Sequence, residues 1–139
     1  MGKLTFIPQS QNNDCALACI KMIAGYYGII PDIGINKGRI LMKAHGLTLM
    51  DIVIISSSIG LTTRAFRLDC LDLKRLNVPA IIHWKSKHFV VMANSFAVDG
   101  LTSILDPSYG KREIDNRSLC YGFTGFALEL IPDPIHKNV

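Results

Sequence analysis

QSQNNDCALACIKMIAGYYG, running from Gln9 to Gly28, sets a cysteine between an amide-rich polar turn and a helical pattern. Asp14 is a residue type that caps helix N-termini, and Gly28 is one that ends helices. Leu17, Ile20 and Ala24, together with Met22, Ile23 and Tyr26, cover most of the circumference between them. This predicts a central helix from Asp14 to about Tyr27, buried on several sides. Cys15 then stands at the first helical position, where core filler, disulfide half, metal ligand and nucleophile are all open to it.

Working outward, a second helix is expected within Ile33–Ala44, and Thr48 caps a third that runs to about Ile59 and stops at Gly60. Beyond Gly60 the pattern changes to period-two, β-branched runs: LTTRAFRL, VPAIIHW, HFVVMANSFAVDG, LTSILDPSYG and the closing GFALELIP. Asp99-Gly100 is a hairpin signal between two of these runs, and Asp106-Pro107 with Gly110 marks a second turn. Helices first and a mostly antiparallel sheet afterwards give an α+β fold. No repeat, linker or low-complexity segment interrupts the chain, so all 139 residues read as one domain, with a core from about 6 to 132.

The composition excludes several function classes. Hydrophobic residues make up 49% of the chain and mean hydropathy is +0.28, high for a soluble domain. Yet no apolar run approaches the roughly 20 residues that span a bilayer. The N-terminus lacks the apolar stretch of a signal peptide. The expected location is therefore cytoplasmic, with apolar surface to spare for docking. The net charge of +4 is scattered rather than clustered with aromatics, which argues against nucleic acid as a partner. It suits an acidic peptide or an anionic membrane surface equally well.

Cys15, Cys19, Cys70 and Cys120 do not form the close pairs of a zinc site, and no metal or cofactor is expected. Cys70 and Cys120 read as small buried hydrophobes, and Cys19, one turn beyond Cys15, as core. Cys15 differs, because a helix N-terminus stabilises a thiolate through the dipole and the unpaired amides. A cysteine nucleophile needs a base and a group to orient it. His45 and His136 read as surface residues. His83 and His88 flank a short turn, and on spacing alone either serves. Pairing the strand that starts at His88 with the one that ends at Asp106 brings those two together, and leaves Asp99 at the far end. An oxyanion donor is available from the Cys15 backbone N–H and from Gln9, Gln11, Asn12 or Asn13, among which spacing does not choose.

PQSQNNDCALACIKMIAGYYG, VPAIIHWKSKHFVVM and LDPSYGK, in that order, resemble the double-glycine leader peptidases. These are papain-like domains of bacterial ABC transporters that mature and export bacteriocins and microcins. The resemblance runs from about Phe6 to Pro132. It implies a cysteine endopeptidase with Cys15 as nucleophile, His88 as general base, Asp106 orienting the ring and Gln9 as oxyanion donor. It also implies a precursor peptide whose amphipathic leader is cut after a Gly-Gly or Gly-Ala pair. The implied partners are the transmembrane and nucleotide-binding domains of the transporter, at the cytoplasmic face of the inner membrane. A docking module of the same fold that does not cleave is the alternative. Two positions depart from the family pattern: Ala16 stands where glycine is usual, and Lys85 follows His83-Trp84 where asparagine is usual.

Overall fold

The apolar periodicity between Asp14 and Tyr27 produces helix α1, which spans Cys15–Tyr26 in the computed structural model. The structure describes residues 2–10, 14–30, 46–85, 87–94 and 100–134. The helix expected within Ile33–Ala44 lies outside the described residues, as do His45, His136, Asp99, Gln11, Asn12 and Asn13. Nine of the twelve α1 residues are buried, which is why apolar side chains surround it rather than lining one stripe. At its end Gly28 takes φ +75°, a conformation glycine adopts without a Cβ clash.

Helix α2 spans Leu49–Ser58 and begins where Thr48 predicts. The Thr48 hydroxyl accepts from the Asp51 N–H at 3.1 Å, and the Asp51 carboxylate accepts from the Thr48 N–H at 2.9 Å. This reciprocal capping box satisfies two backbone donors that a helix start otherwise leaves orphaned.

Six strands follow: β1 Leu61–Arg67, β2 Ala80–Trp84, β3 His88–Met92, β4 Leu101–Asp106, β5 Gly110–Asp115 and β6 Phe123–Pro132. They form one sheet in the order β1-β6-β2-β3-β4-β5, every pairing antiparallel. A 3-10 helix (Cys70–Arg75) precedes β2, and a short helix α3 (Asn116–Gly122) bridges β5 to β6. The runs with strand patterning form strands, although HFVVMANS shortens to five residues. Strand β5, helix α3 and the 3-10 turn are additions to what the pattern predicts.

The core lies on both faces of the sheet. Ile81, Phe89, Val91 and Leu105 pack with α1 and α2 on one side. Ile82, Val90, Met92 and Ile104 pack with Leu73, Leu119 and Ile114 on the other. Strands covered on both faces are apolar without alternation, as VPAII and FVVM are. Each such fully buried aliphatic side chain contributes roughly 1.5–3 kcal/mol. That rigid centre is what carries His88 and Asp106. Among the described residues no helix is long and apolar enough to cross a membrane.

The two cysteines expected to be core hydrophobes are not. Cys70 is half-buried, Cys120 is exposed, and they form a disulfide with Cα atoms 5.3 Å apart. The reason is tertiary: α3 folds back onto the 3-10 helix, and 50 residues of separation close to bonding distance.

Candidate active site

Cys15 opens α1 with 8% of its surface exposed. Asp14 occupies the cap position, its backbone carbonyl accepting from the Ala18 N–H at 3.1 Å while its side chain makes no cap bond to the helix. Its carboxylate accepts from the Ser10 N–H at 3.2 Å and the Ser10 hydroxyl at 2.6 Å.

Strand pairing delivers the other two groups. Val91 pairs with Leu105 and Met92 with Ile104, so the start of β3 and the end of β4 lie side by side. His88 Nε2 and Asp106 Oδ1 are 2.6 Å apart, with the carboxylate buried. The Cys15 side chain acts on the opposite edge of the His88 ring. With Nε2 held by Asp106, Nδ1 is the nitrogen left to face the sulfur. The interaction with Cys15 pushes His88 up, burial opposes it, and the bond and charge of Asp106 add to it, placing its pKa at about 9. Burial would raise the Asp106 carboxyl, but bonds from His88 and Ser108 outweigh it and hold Asp106 below its ordinary value. A protonated imidazole facing a cysteine sulfur is the acid half of a cysteine–histidine pair.

Ser108 is the member the sequence reasoning missed. Its N–H (2.9 Å) and its hydroxyl (2.8 Å) both donate to Asp106 Oδ1, and the hydroxyl lies 3.3 Å from His88 Nε2. The signal was present in DPS, where an aspartate accepts from the residue two positions on. Gln9 is brought to the same loop: its backbone N–H donates to Pro107 O at 3.0 Å, and its side-chain Oε1 is buried without a hydrogen-bond partner.

His83 stays apart from this group. Its Nδ1 is 2.7 Å from the Thr124 hydroxyl, and its ring stands against Phe89 and Phe126. Burial, then the charge of His88, lower its pKa. Cys19 is fully buried and unbridged, its thiol pushed well above the ordinary value by burial and then by Cys15 and Asp106. Ala16 is 1% exposed, its methyl packed in the α1-side core, so it does not crowd the approach to Cys15. Beside the site, Leu47, Thr48, Leu49, His83, Lys87, Phe89 and Phe126 line an apolar groove of about 500 Å³.

The model of the peptidase C39 family matches residues 3–135. The chain belongs to the peptidase C39 family. It is 35% identical over 131 residues to the colicin V secretion/processing ATP-binding protein CvaB of Escherichia coli, covering 94% of this chain and 18% of that protein. It is 26% identical over 142 residues to the transport/processing ATP-binding protein ComA of Streptococcus pneumoniae, covering 98% of this chain and 20% of the relative. The chain therefore spans about a fifth of these relatives. Among solved structures it resembles a double glycine motif protease from an AMS/PCAT transporter, crystallised with the leader peptide, at TM-score 0.84 and 25% identity. That match covers 94% of this chain and 93% of the other. The peptidase domain of Streptococcus ComA shares the fold at TM-score 0.80 and 24% identity, covering 94% of this chain and all of that one. As a peptidase C39 member the chain is a cysteine peptidase, α+β in fold.

Proposed function

We propose that this peptidase C39 chain removes the leader from a bacteriocin- or microcin-type precursor by cutting after a Gly-Gly or Gly-Ala pair. The observation that carries this reading is the His88–Asp106 contact of 2.6 Å, with Cys15 at the helix mouth acting on the same ring. In the proposed reaction the Cys15 sulfur attacks the carbonyl carbon of the second residue of the small pair. The Gln9 amide and the Cys15 backbone N–H hold the oxyanion. His88 gives its proton to the leaving amine, leaving a thioester. Water, deprotonated by His88, then attacks the thioester and releases the leader as a carboxylate while the sulfur leaves. Asp106, anchored by Ser108, holds the imidazole in place throughout.

The groove lined by Leu47, Leu49, Phe89 and Phe126 suits the apolar face of an amphipathic leader helix. Its Phe89 is the chain neighbour of His88 and stands opposite His83 in the β2–β3 pairing, so the groove adjoins the catalytic group. The substrate reading draws on the double glycine motif protease that the chain resembles. We take the chain as one peptidase unit acting with the transmembrane and nucleotide-binding domains of an ABC transporter on the cytoplasmic side, as the names of its relatives suggest.

The test is digestion of a double-glycine precursor by the wild-type chain, Cys15→Ala and His88→Ala, read by mass spectrometry. One cut after the small pair, absent from both variants, supports the assignment. Binding of the leader without any cut by folded wild type turns the reading to a docking module.

A further inference from the structure

A second concavity, of about 320 Å³, shares no lining residue with the groove beside His88 or with Cys15, His88 and Asp106. Trp84 and Ile114, both buried, line it, and Lys85, Arg112, Arg117, Ser118 and Tyr121 complete the wall. Both Trp84 and Ile114 belong to the core on the α3 side of the sheet, whereas Cys15 belongs to the core on the α1 side.

Three features make this a prepared site rather than a chance hollow. Among the described residues, none of the three cations forms an ion pair within 4.0 Å. Arg112 is held with its guanidinium 4.9 Å from the Tyr109 ring centroid, which fixes a planar fork without neutralising it. Lys85 takes φ +47°, a conformation a lysine rarely adopts, and its N–H donates to Gly122 O at 2.8 Å. The turn thus keeps a lysine at a position where glycine or asparagine relieves the strain.

We propose that this pocket docks an acidic polypeptide segment, with carboxylates on Arg112 and Arg117 and an aliphatic side chain over Trp84 and Ile114. Arginine forks match carboxylates bidentately, and aromatic residues with arginine are the composition of interface hot spots. The aliphatic and indole floor of Ile114 and Trp84 is recessed, and the exposed ring at the rim, Tyr121, carries a polar hydroxyl, whereas a protein that lies on a membrane surface presents a broad apolar face outward. An acidic segment therefore fits the charge and the shape together. The pocket has no lining residue in common with the catalytic group, although Trp84 pairs with His88 across β2 and β3, so the segment binds while Cys15 stays open to substrate.

Trp84 is the single tryptophan of the chain, so its emission reports the pocket directly. The experiment titrates the 139-residue chain with acetyl-Glu-Glu-Leu-Glu-Glu-amide and, in parallel, with the glutamine version of the peptide. A saturable change with the acidic peptide alone is expected, weakening as salt is raised. The Arg112→Gln/Arg117→Gln variant is expected to bind about tenfold more weakly or worse, having lost two charge-assisted pairs. Lys85→Gln gives a smaller loss of the same sign, and circular dichroism checks that both variants fold. Three outcomes overturn the proposal: no change at millimolar peptide, equal binding by the double variant, or a stronger response to inorganic phosphate or phosphatidylserine vesicles than to the peptide.

Discussion

His88 sits between two partners that pull its proton affinity in the same direction, and the consequences can be worked out with their sign. Its pKa of about 9 lies above the ordinary 6.5, so the folded chain holds this proton more tightly than the unfolded one. The stabilisation is complete below pH 6.5 and vanishes as pH rises through about 9. Leader cleavage, which needs the protonated ring to serve the leaving amine, is expected to fall over the same alkaline limb. A rate that stays flat well above pH 9 would contradict the assigned acid. Because the interaction with Cys15 is the largest upward cause, Cys15→Ala should bring His88 down toward 6.5 in an NMR titration. Ser108 acts one step further back. Removing its hydroxyl takes one of two Ser108 bonds from Asp106, and hydrogen bonds to charged groups are worth about 1.5–3 kcal/mol. Ser108→Ala should lower kcat by roughly tenfold with KM nearly unchanged. Cys15, His88 and Asp106 were legible because each sits at the end of an element whose periodicity is visible. The choice of His88 over His83 needed the strand pairing as well. Ser108 was hidden because a turn residue has no periodicity to announce it.

Helices and strands were readable to the extent that their signals are local. The Thr48 capping box and the unbroken apolar runs of β2 and β3 appear in the sequence as they appear in space. Strand β5 alternates Lys111, Glu113 and Asp115 outward with few apolar residues between, because it is an edge with little to bury. Helix α3 is seven residues long, too short for a helical period to stand out. Its placement depends on a single close approach. A Cβ on Gly122 would come within 2.4 Å of the Trp84 ring, so glycine is what lets α3 lie down on β2. Gly122→Ala should cost about 1–3 kcal/mol through overpacking. A lowered urea midpoint and a shifted Trp84 emission maximum would report it, and an unchanged midpoint would show that the helix can lift off freely. The capping box is a milder case: Thr48→Ala should cost about 1 kcal/mol in the same assay.

Across the whole molecule the sheet separates two cores, and each carries a different burden. The α1 side supports the cysteine; the α3 side is closed by the Cys70–Cys120 bridge, which lies in the part of the chain where sequence reasoning saw only two unremarkable thiols. Pairing of distant cysteines depends on tertiary approach, which no local pattern encodes. The bridge closes a loop of 50 residues, and a loop of that length, cross-linked, stabilises by about 4 kcal/mol in the chain-entropy model, with 2–4 typical of measurement. That loop contains β2, β3, β4 and β5, and therefore both His88 and Asp106. The bond itself touches neither, and the contacts that orient them run through β3, β4 and the turn at Ser108. Cys70→Ser/Cys120→Ser should therefore lower the denaturation midpoint by an amount equivalent to about 2–4 kcal/mol. Its leader cleavage at a temperature where the variant remains folded should equal that of the wild type. Loss of cleavage in a folded variant, by contrast, would mean that the bridge on the α3 side sets the spacing of His88 and Asp106, and that the two faces of the sheet are mechanically coupled through β3 and β4.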